Sequence, residues 1–239
     1  MRKPRETIAS YRLPADGSPV ISSITYQVRD KLRASVFVGG QFAFGINVAT
    51  IEQFRLRKGD ELTAALLEKL RVFDDSVSAK RVASKYLNAR RRSERDVATK
   101  LKGEGFDDET INSVLATMKE YGLIDDEAYA RAFIHDKLLT KSASRRELES
   151  LLIKKGIAKQ TMAVALADVT DNGTEEQHAR EAATKKWESL VRREPDSRKR
   201  KQKLYAFLAS RGFGGTTIKT VVSELISTDE PTEEDVYDN

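Results

Sequence analysis

Leu101-Lys102-Gly103-Glu104-Gly105-Phe106, Leu152-Ile153-Lys154-Lys155-Gly156-Ile157 and Leu208-Ala209-Ser210-Arg211-Gly212-Phe213 are one pattern written three times, with the glycines 105, 156 and 212 spaced 51 and 56 residues apart. Working outward, eight residues before each glycine stand Val97, Leu148 and Leu204. Six residues after it stand Ile111, Met162 and Ile218, and ten after it Leu115, Leu166 and Val222. All fifteen aligned positions are apolar in a chain that is only 39% hydrophobic, a coincidence that chance rarely produces. The two positions before the glycine share one helix face, and the two after it share a face of the next helix. The glycine ends the first helix where a left-handed residue is needed, and the Phe or Ile behind it plugs the corner.

Another helix precedes each pair, over 83–87, 128–134 and 182–187. Start signals agree: Ser144-Arg145-Arg146-Glu147 is a capping box, Ser93-Glu94-Arg95-Asp96 a weaker analogue, and Asp107 and Asp125 stand where N-caps belong. Units that cannot bury their apolar faces alone stack on their neighbours. The expected fold is mainly α: tandem three-helix repeats over 76–122, 123–172 and 173–228, in an elongated, curved array.

A small α+β module is expected ahead of them, over 21–75. Ile21, Ile24, Tyr26 and Val28 suggest a first strand. Val36 and Val38, then Gly39-Gly40, then Phe42, Phe44 and Ile46 form a hairpin signal, because glycine accepts the positive φ of tight turns. A short helix over 48–56 follows, and Lys58-Gly59-Asp60 reads as a helix stop followed by the cap of a helix reaching about Arg71. Residues 1–20, with Pro4, Pro14, Gly17 and Pro19, read as a disordered arm, and 229–239 as an acidic disordered tail.

Composition narrows the function classes. There are no cysteines, which excludes a disulfide framework, a thiolate zinc site and a cysteine nucleophile, and suits a reducing cytoplasm. No apolar run approaches the roughly 20 residues of a membrane span, and the charged start is not followed by a signal-peptide core. His135 and His178 lack metal-ligand spacing and read as helix-surface residues. Asp107-Asp108 and Asp125-Asp126 precede helices, where carboxylates satisfy free N–H groups. Gly103-Glu104-Gly105 follows a helix and is no phosphate loop, and Trp187 reads as core. Neither enzyme activity, cofactor nor metal is expected.

The cations are distributed with more purpose. The chain holds 42 Lys+Arg against 37 Asp+Glu, a formal charge of +5, and many of the acids sit in the tail. Arg90, Arg91, Arg92 and Arg95 flank the start of the second helix of repeat one. Lys141, Arg145 and Arg146 hold the same junction in repeat two, and Arg192, Arg193, Arg198, Lys199, Arg200 and Lys201 in repeat three. Stacked repeats would line these junctions into a basic stripe that attracts phosphates or an acidic protein surface.

The pattern resembles the RecX family of RecA regulators, over about residues 21–228. The matching stretches are Ala83…Tyr86-Leu87…Arg90…Arg92-Ser93, Gly122-Leu123-Ile124-Asp125-Asp126-Glu127-Ala128-Tyr129-Ala130, Leu152…Lys155-Gly156-Ile157 and Leu208…Arg211-Gly212-Phe213. Val36-Phe37-Val38, Phe42-Ala43-Phe44 and Leu56-Arg57-Lys58-Gly59-Asp60-Glu61-Leu62 resemble the start of longer members. One departure is Ser142-Ala143 before Ser144, where many relatives carry a glycine. The resemblance implies a monomeric, non-enzymatic protein that binds along the helical groove of a RecA–DNA filament. It would inhibit recombinase, ATPase and co-protease activity in DNA repair and the SOS response. DNA, single- or double-stranded, is an expected partner, directly or within the filament. The rival readings are an independent DNA-binding protein with helix-turn-helix-like repeats and a helical scaffold unconnected with recombination.

Overall fold

Three strands form one sheet near the start of the chain: β1 (Ile21–Tyr26), β2 (Arg33–Val38) and β3 (Gln41–Asn47), antiparallel and in sequence order. The computed structural model describes residues 7–14, 19–140, 143–167 and 172–229. The β2–β3 turn is the expected glycine pair, with φ +57° at Gly39 and +77° at Gly40. A register shift between Val36 and Phe37 sets Phe37 opposite Phe42, so Phe42 is largely exposed while Val36, Phe44 and Ile46 are buried. The alternation expected from Phe42 to Ile46 therefore breaks at a bulge, which reassigns faces. Val28 lies beyond β1 and is fully in solvent.

The arm expected over 1–20 is not free where it is described. Ile8, in a 3-10 turn (Ile8–Ser10), is buried in the module's core, and the Tyr11 ring meets Phe44 edge-on at 5.5 Å. Helix α1 (Val48–Phe54) ends on Arg55, left-handed at φ 52°. The expected Asp60 cap is also corrected. Its carboxylate accepts the Arg57 N–H at 2.6 Å, and Thr63 caps the next helix by accepting the Leu66 N–H at 3.2 Å. That helix, α2 (Ala64–Ala89), does not stop near Arg71 but passes through 75/76, the expected module boundary.

Asp74 explains why α2 is continuous there. It is buried, and its Oδ1 accepts both the Asn47 N–H and the Thr50 hydroxyl at 2.7 Å. Asn47 Nδ2 donates to the Asp74 carbonyl at 3.2 Å and to Ser78 Oγ at 2.9 Å. The sheet's last residue thus closes on the middle of α2, the first helix of repeat one.

The remaining helices are α3 (Glu94–Gly103), α4 (Asp108–Glu120), α5 (Asp126–Thr140), α6 (Arg145–Lys154), α7 (Lys159–Ala167), α8 (Asn172–Arg193), α9 (Ser197–Ser210) and α10 (Gly215–Asp229). They make three successive three-helix repeats, each with its own apolar cluster. Of the fifteen aligned positions only Phe106 is partly exposed, and it still packs on its cluster. The chain divides into two compact units, one running to Arg91 and including Asp96–Ile124, the other comprising Arg92–Arg95 and everything from Asp125 onward.

Candidate functional site

Ser144 is the pivot of the second unit. It is fully buried, and its hydroxyl accepts the Glu147 N–H at 3.1 Å while donating to the Arg211 carbonyl at 2.5 Å. One side chain thus closes the start of α6 and ties it to the corner after α9. The fit leaves no clearance. A methyl group on Gly212 would lie 2.8 Å from Ser144 Oγ and 3.3 Å from Arg146 Cβ.

The arrangement recurs at the other end of the unit. Ser93 is fully buried, and a methyl group on Gly156 would lie 2.6 Å from Cδ and 2.7 Å from Cβ of Arg95. The paired aspartates divide their work here. Asp125 accepts the Ala128 N–H of its own helix at 2.9 Å, while Asp126 Oδ1 accepts the Glu94 N–H at 2.8 Å and so caps a different helix. Asp107 caps its own helix through the Thr110 N–H at 2.8 Å.

The expected basic stripe is sorted by these contacts. Arg95 and Arg146 lie with their stems against glycine corners, and Arg92 buries its Nε. Arg145 Nε donates to Glu149 at 2.8 Å. Arg200 lies over the Trp187 ring at 5.6 Å and donates to the Glu194 carbonyl at 3.3 Å, which leaves Trp187 buried as core. Arg192 Nε donates to the Glu188 carbonyl at 3.1 Å, and Arg193 is exposed. Arg90, Arg91, Arg198, Lys199 and Lys201 are also exposed. Lys141 lies outside the described residues.

Two features near α9 were not expected. Lys203 donates to Glu194 at 2.5 Å, and this bond holds the Glu194 carboxyl below the usual range. Phe207 carries Arg211 at 4.4 Å and Lys186 at 5.4 Å from its ring centre. The signal for Arg211 was present in the sequence: a cation directly precedes the corner glycine in repeats two and three, as Lys155 and Arg211. Among the described residues no His, Cys, Asp and Glu cluster could hold a metal ion, and no helix is long and apolar enough to cross a membrane.

A β-rich module followed by three-helix repeats, joined at glycine corners and showing cations where second helices begin, defines a tandem helical-repeat protein. Four family models match it in order: the RecX N-terminal domain at residues 19–63 and the first, second and third RecX three-helix domains at 79–118, 125–166 and 174–222. A regulatory protein RecX of Clostridium botulinum is 32% identical over 87% of this chain and 96% of its own. One from Clostridium perfringens is 29% identical over 86% and 95%. A crystal structure of regulatory protein RecX aligns with a TM-score of 0.66 and 27% identity, over 85% of this chain and 98% of that one. RecX from Lactobacillus salivarius aligns with a TM-score of 0.56 and 25% identity, over 64% and 97%. The chain belongs to the RecX family of regulatory proteins.

Proposed function

We propose that this chain regulates the RecA recombinase, binding RecA–DNA filaments along their groove and lowering recombinase, ATPase and co-protease activity. The observation that carries the reading is the ordered match of all four RecX domain models along one chain. The distribution of cations supports it. Helix α9 presents Arg198, Lys199, Lys201 and Lys203 near its start, while the third helices α4, α7 and α10 carry one cation each, Lys119, Lys159 and Lys219. A recognition helix reading base edges would need its polar and basic residues on those third helices. Inhibition requires no chemistry from this chain. A binder shifts a filament by as much as its affinities for two filament states differ.

The test is RecA-dependent ATP hydrolysis on single-stranded DNA with this protein titrated in; hydrolysis is expected to fall. Replacing Arg198, Lys199 and Lys201 by Glu should raise the concentration for half inhibition by roughly tenfold or more. Glutamates at a helix start favour its dipole, so helicity should survive. Unchanged hydrolysis with the natural chain would sink the regulatory reading. Unchanged inhibition by the triple variant would remove α9 from the contact. Equal affinity for bare DNA and for filaments at moderate salt would favour the independent DNA-binding reading.

A further inference from the structure

The two edges of the sheet differ. On β3, residues 44–47 are buried, and the turn at Ile8–Ser10 packs against the strand. On β1, the loop at 59–62 covers the outer side only as far as Ile21. The Ile21 N–H donates to the Asp60 carbonyl and the Gly59 N–H to the Ile21 carbonyl, both at 2.9 Å. Beyond Ile21 the outer side of β1 makes no backbone bond among the described residues. Gln27 donates its N–H to the Arg33 carbonyl at 2.9 Å, so it faces β2. By alternation Thr25 and Ser23 face β2 too, while Ile24 and Tyr26 turn their N–H and carbonyl groups outward. Folded proteins blunt such an edge with charges, prolines or bulges. Residues 20–28 include no charged residue and no proline, in a chain that is 33% charged. The register shift of β1 against β2 lies between Ile21 and Ser23, at the end the loop already covers. Thr25, Tyr26 and Val28 are exposed.

We propose that β1 pairs antiparallel with β1 of a second copy of this chain, so that two three-stranded sheets join into one. The strand is complementary to itself about Thr25. With the two-fold axis there, Ile24 of each copy faces Tyr26 of the other, and every outward N–H of these residues meets an outward carbonyl. An aromatic beside a β-branched side chain is a favourable cross-strand pair. So is threonine opposite threonine, which is what Thr25 then meets. No like charges oppose each other, because Ser22 and Ser23 face Val28 and Gln27. An axis one residue earlier would set Tyr26 against Ser22 and run the pairing into the loop that holds Ile21. A strand pair this short covers less than the roughly 1,200 Å² of a standard interface, so the dimer is weak. The monomer implied by the resemblance is then the state at low concentration. The inference does not rest on the regulatory reading.

Sedimentation equilibrium of the full chain over about 5–500 μM should show the average mass rising from one chain toward two. Thr25→Lys sets two like charges opposite each other, and Tyr26→Pro removes an outward N–H that no described residue accepts. Both should stay single across the range with unchanged helical circular dichroism, while Tyr26→Phe should assemble as the natural chain does. If the proline disturbs the sheet, Thr25→Lys decides alone. The absence of cysteine allows a second readout. Thr25→Cys places two thiols on the axis, with Cα atoms about 4.5 Å apart and inside disulfide reach, and should give a linked dimer with oxidised glutathione. Ser23→Cys, two residues off the axis, sets its two copies about 14 Å apart and should couple roughly tenfold more slowly or less. The proposal falls if the natural chain stays single throughout, or if Thr25→Cys and Ser23→Cys couple at equal rates. It falls as well if the chain stays single while Tyr26→Pro relieves inhibition of RecA, which would assign the edge to a strand of the filament.

Discussion

At the residue scale, three glycines that look equivalent in sequence do different work. Gly105, Gly156 and Gly212 all have positive φ, at 93°, 79° and 82°. Alanine at any of them should cost about 1–2 kcal/mol for the left-handed backbone alone. At Gly105 nothing lies within 4 Å of the added methyl group, so the cost should stop there. At Gly156 and Gly212 it would meet Arg95 and Ser144 at 2.6–2.8 Å, so the joint must shift as well. Urea unfolding should therefore rank Gly105→Ala clearly milder than the other two, and equal losses at all three would show that the joints yield freely. The helix-ending role of these glycines was legible because it is local: an apolar periodicity stops and a glycine follows. Their second role was not, because the atoms they make room for lie 61 and 68 residues away in sequence, at Arg95 and Ser144. The basic stripe was half-readable for the same reason. Sequence locates Arg95, Arg146 and Arg200 at matching junctions, but only packing shows the stems of the exposed Arg95 and Arg146 against glycine corners and Arg200 over the Trp187 ring.

At the scale of elements, α2 shows where periodicity misleads. Its middle, Asp74-Asp75-Ser76-Val77-Ser78, is polar, and the expected module boundary at 75/76 falls inside it. The polarity has a structural use, since Asp74 and Ser78 hold the end of β3. Asp74→Ala would leave the Asn47 N–H and the Thr50 hydroxyl without their acceptor in a dry site. The expected loss is about 2–6 kcal/mol, at about 1–3 kcal/mol for each of the two stranded groups. Asp74→Asn keeps an acceptor oxygen and should cost clearly less. If the two variants unfold at the same urea concentration, the bonds to Asn47 and Thr50 are not what holds the sheet to α2. The mistaken Asp60 cap has a similar origin. Asp60 and Thr63 are both good capping residues, and the loop between them was decided by backbone pairing of Ile21 with Gly59 and Asp60, which no local rule contains.

At the scale of the whole molecule, acids and bases are nearly balanced in number, and the carboxylates respond to their cations. Hydrogen bonds from Arg81 to Asp30, from Arg71 to Glu68, from Lys203 to Glu194 and from Arg180 to Glu224 hold those four below the usual carboxylate range. Asp107 is lowered by the Thr110 N–H it caps. A group whose folded pKa is depressed lends stability above its unfolded pKa, about 4, and loses it as pH falls through the folded value. Asp75 runs the other way: burial raises it, so its contribution is present at low pH and fades as pH rises through its raised value. Among the described carboxyl groups the five lowered outnumber the one raised, so the chain should be progressively destabilised as pH drops below about 4. Most of these partners are exposed, Arg180 and Glu224 at 46% each and Lys203 at 55%, and salt should screen them. Urea midpoints measured from neutral to acid pH should therefore fall steeply at low ionic strength and less steeply in about 1 M salt. A midpoint that rose on acidification, or a fall indifferent to salt, would mean that burial of Asp75 and not surface pairing governs the acid response.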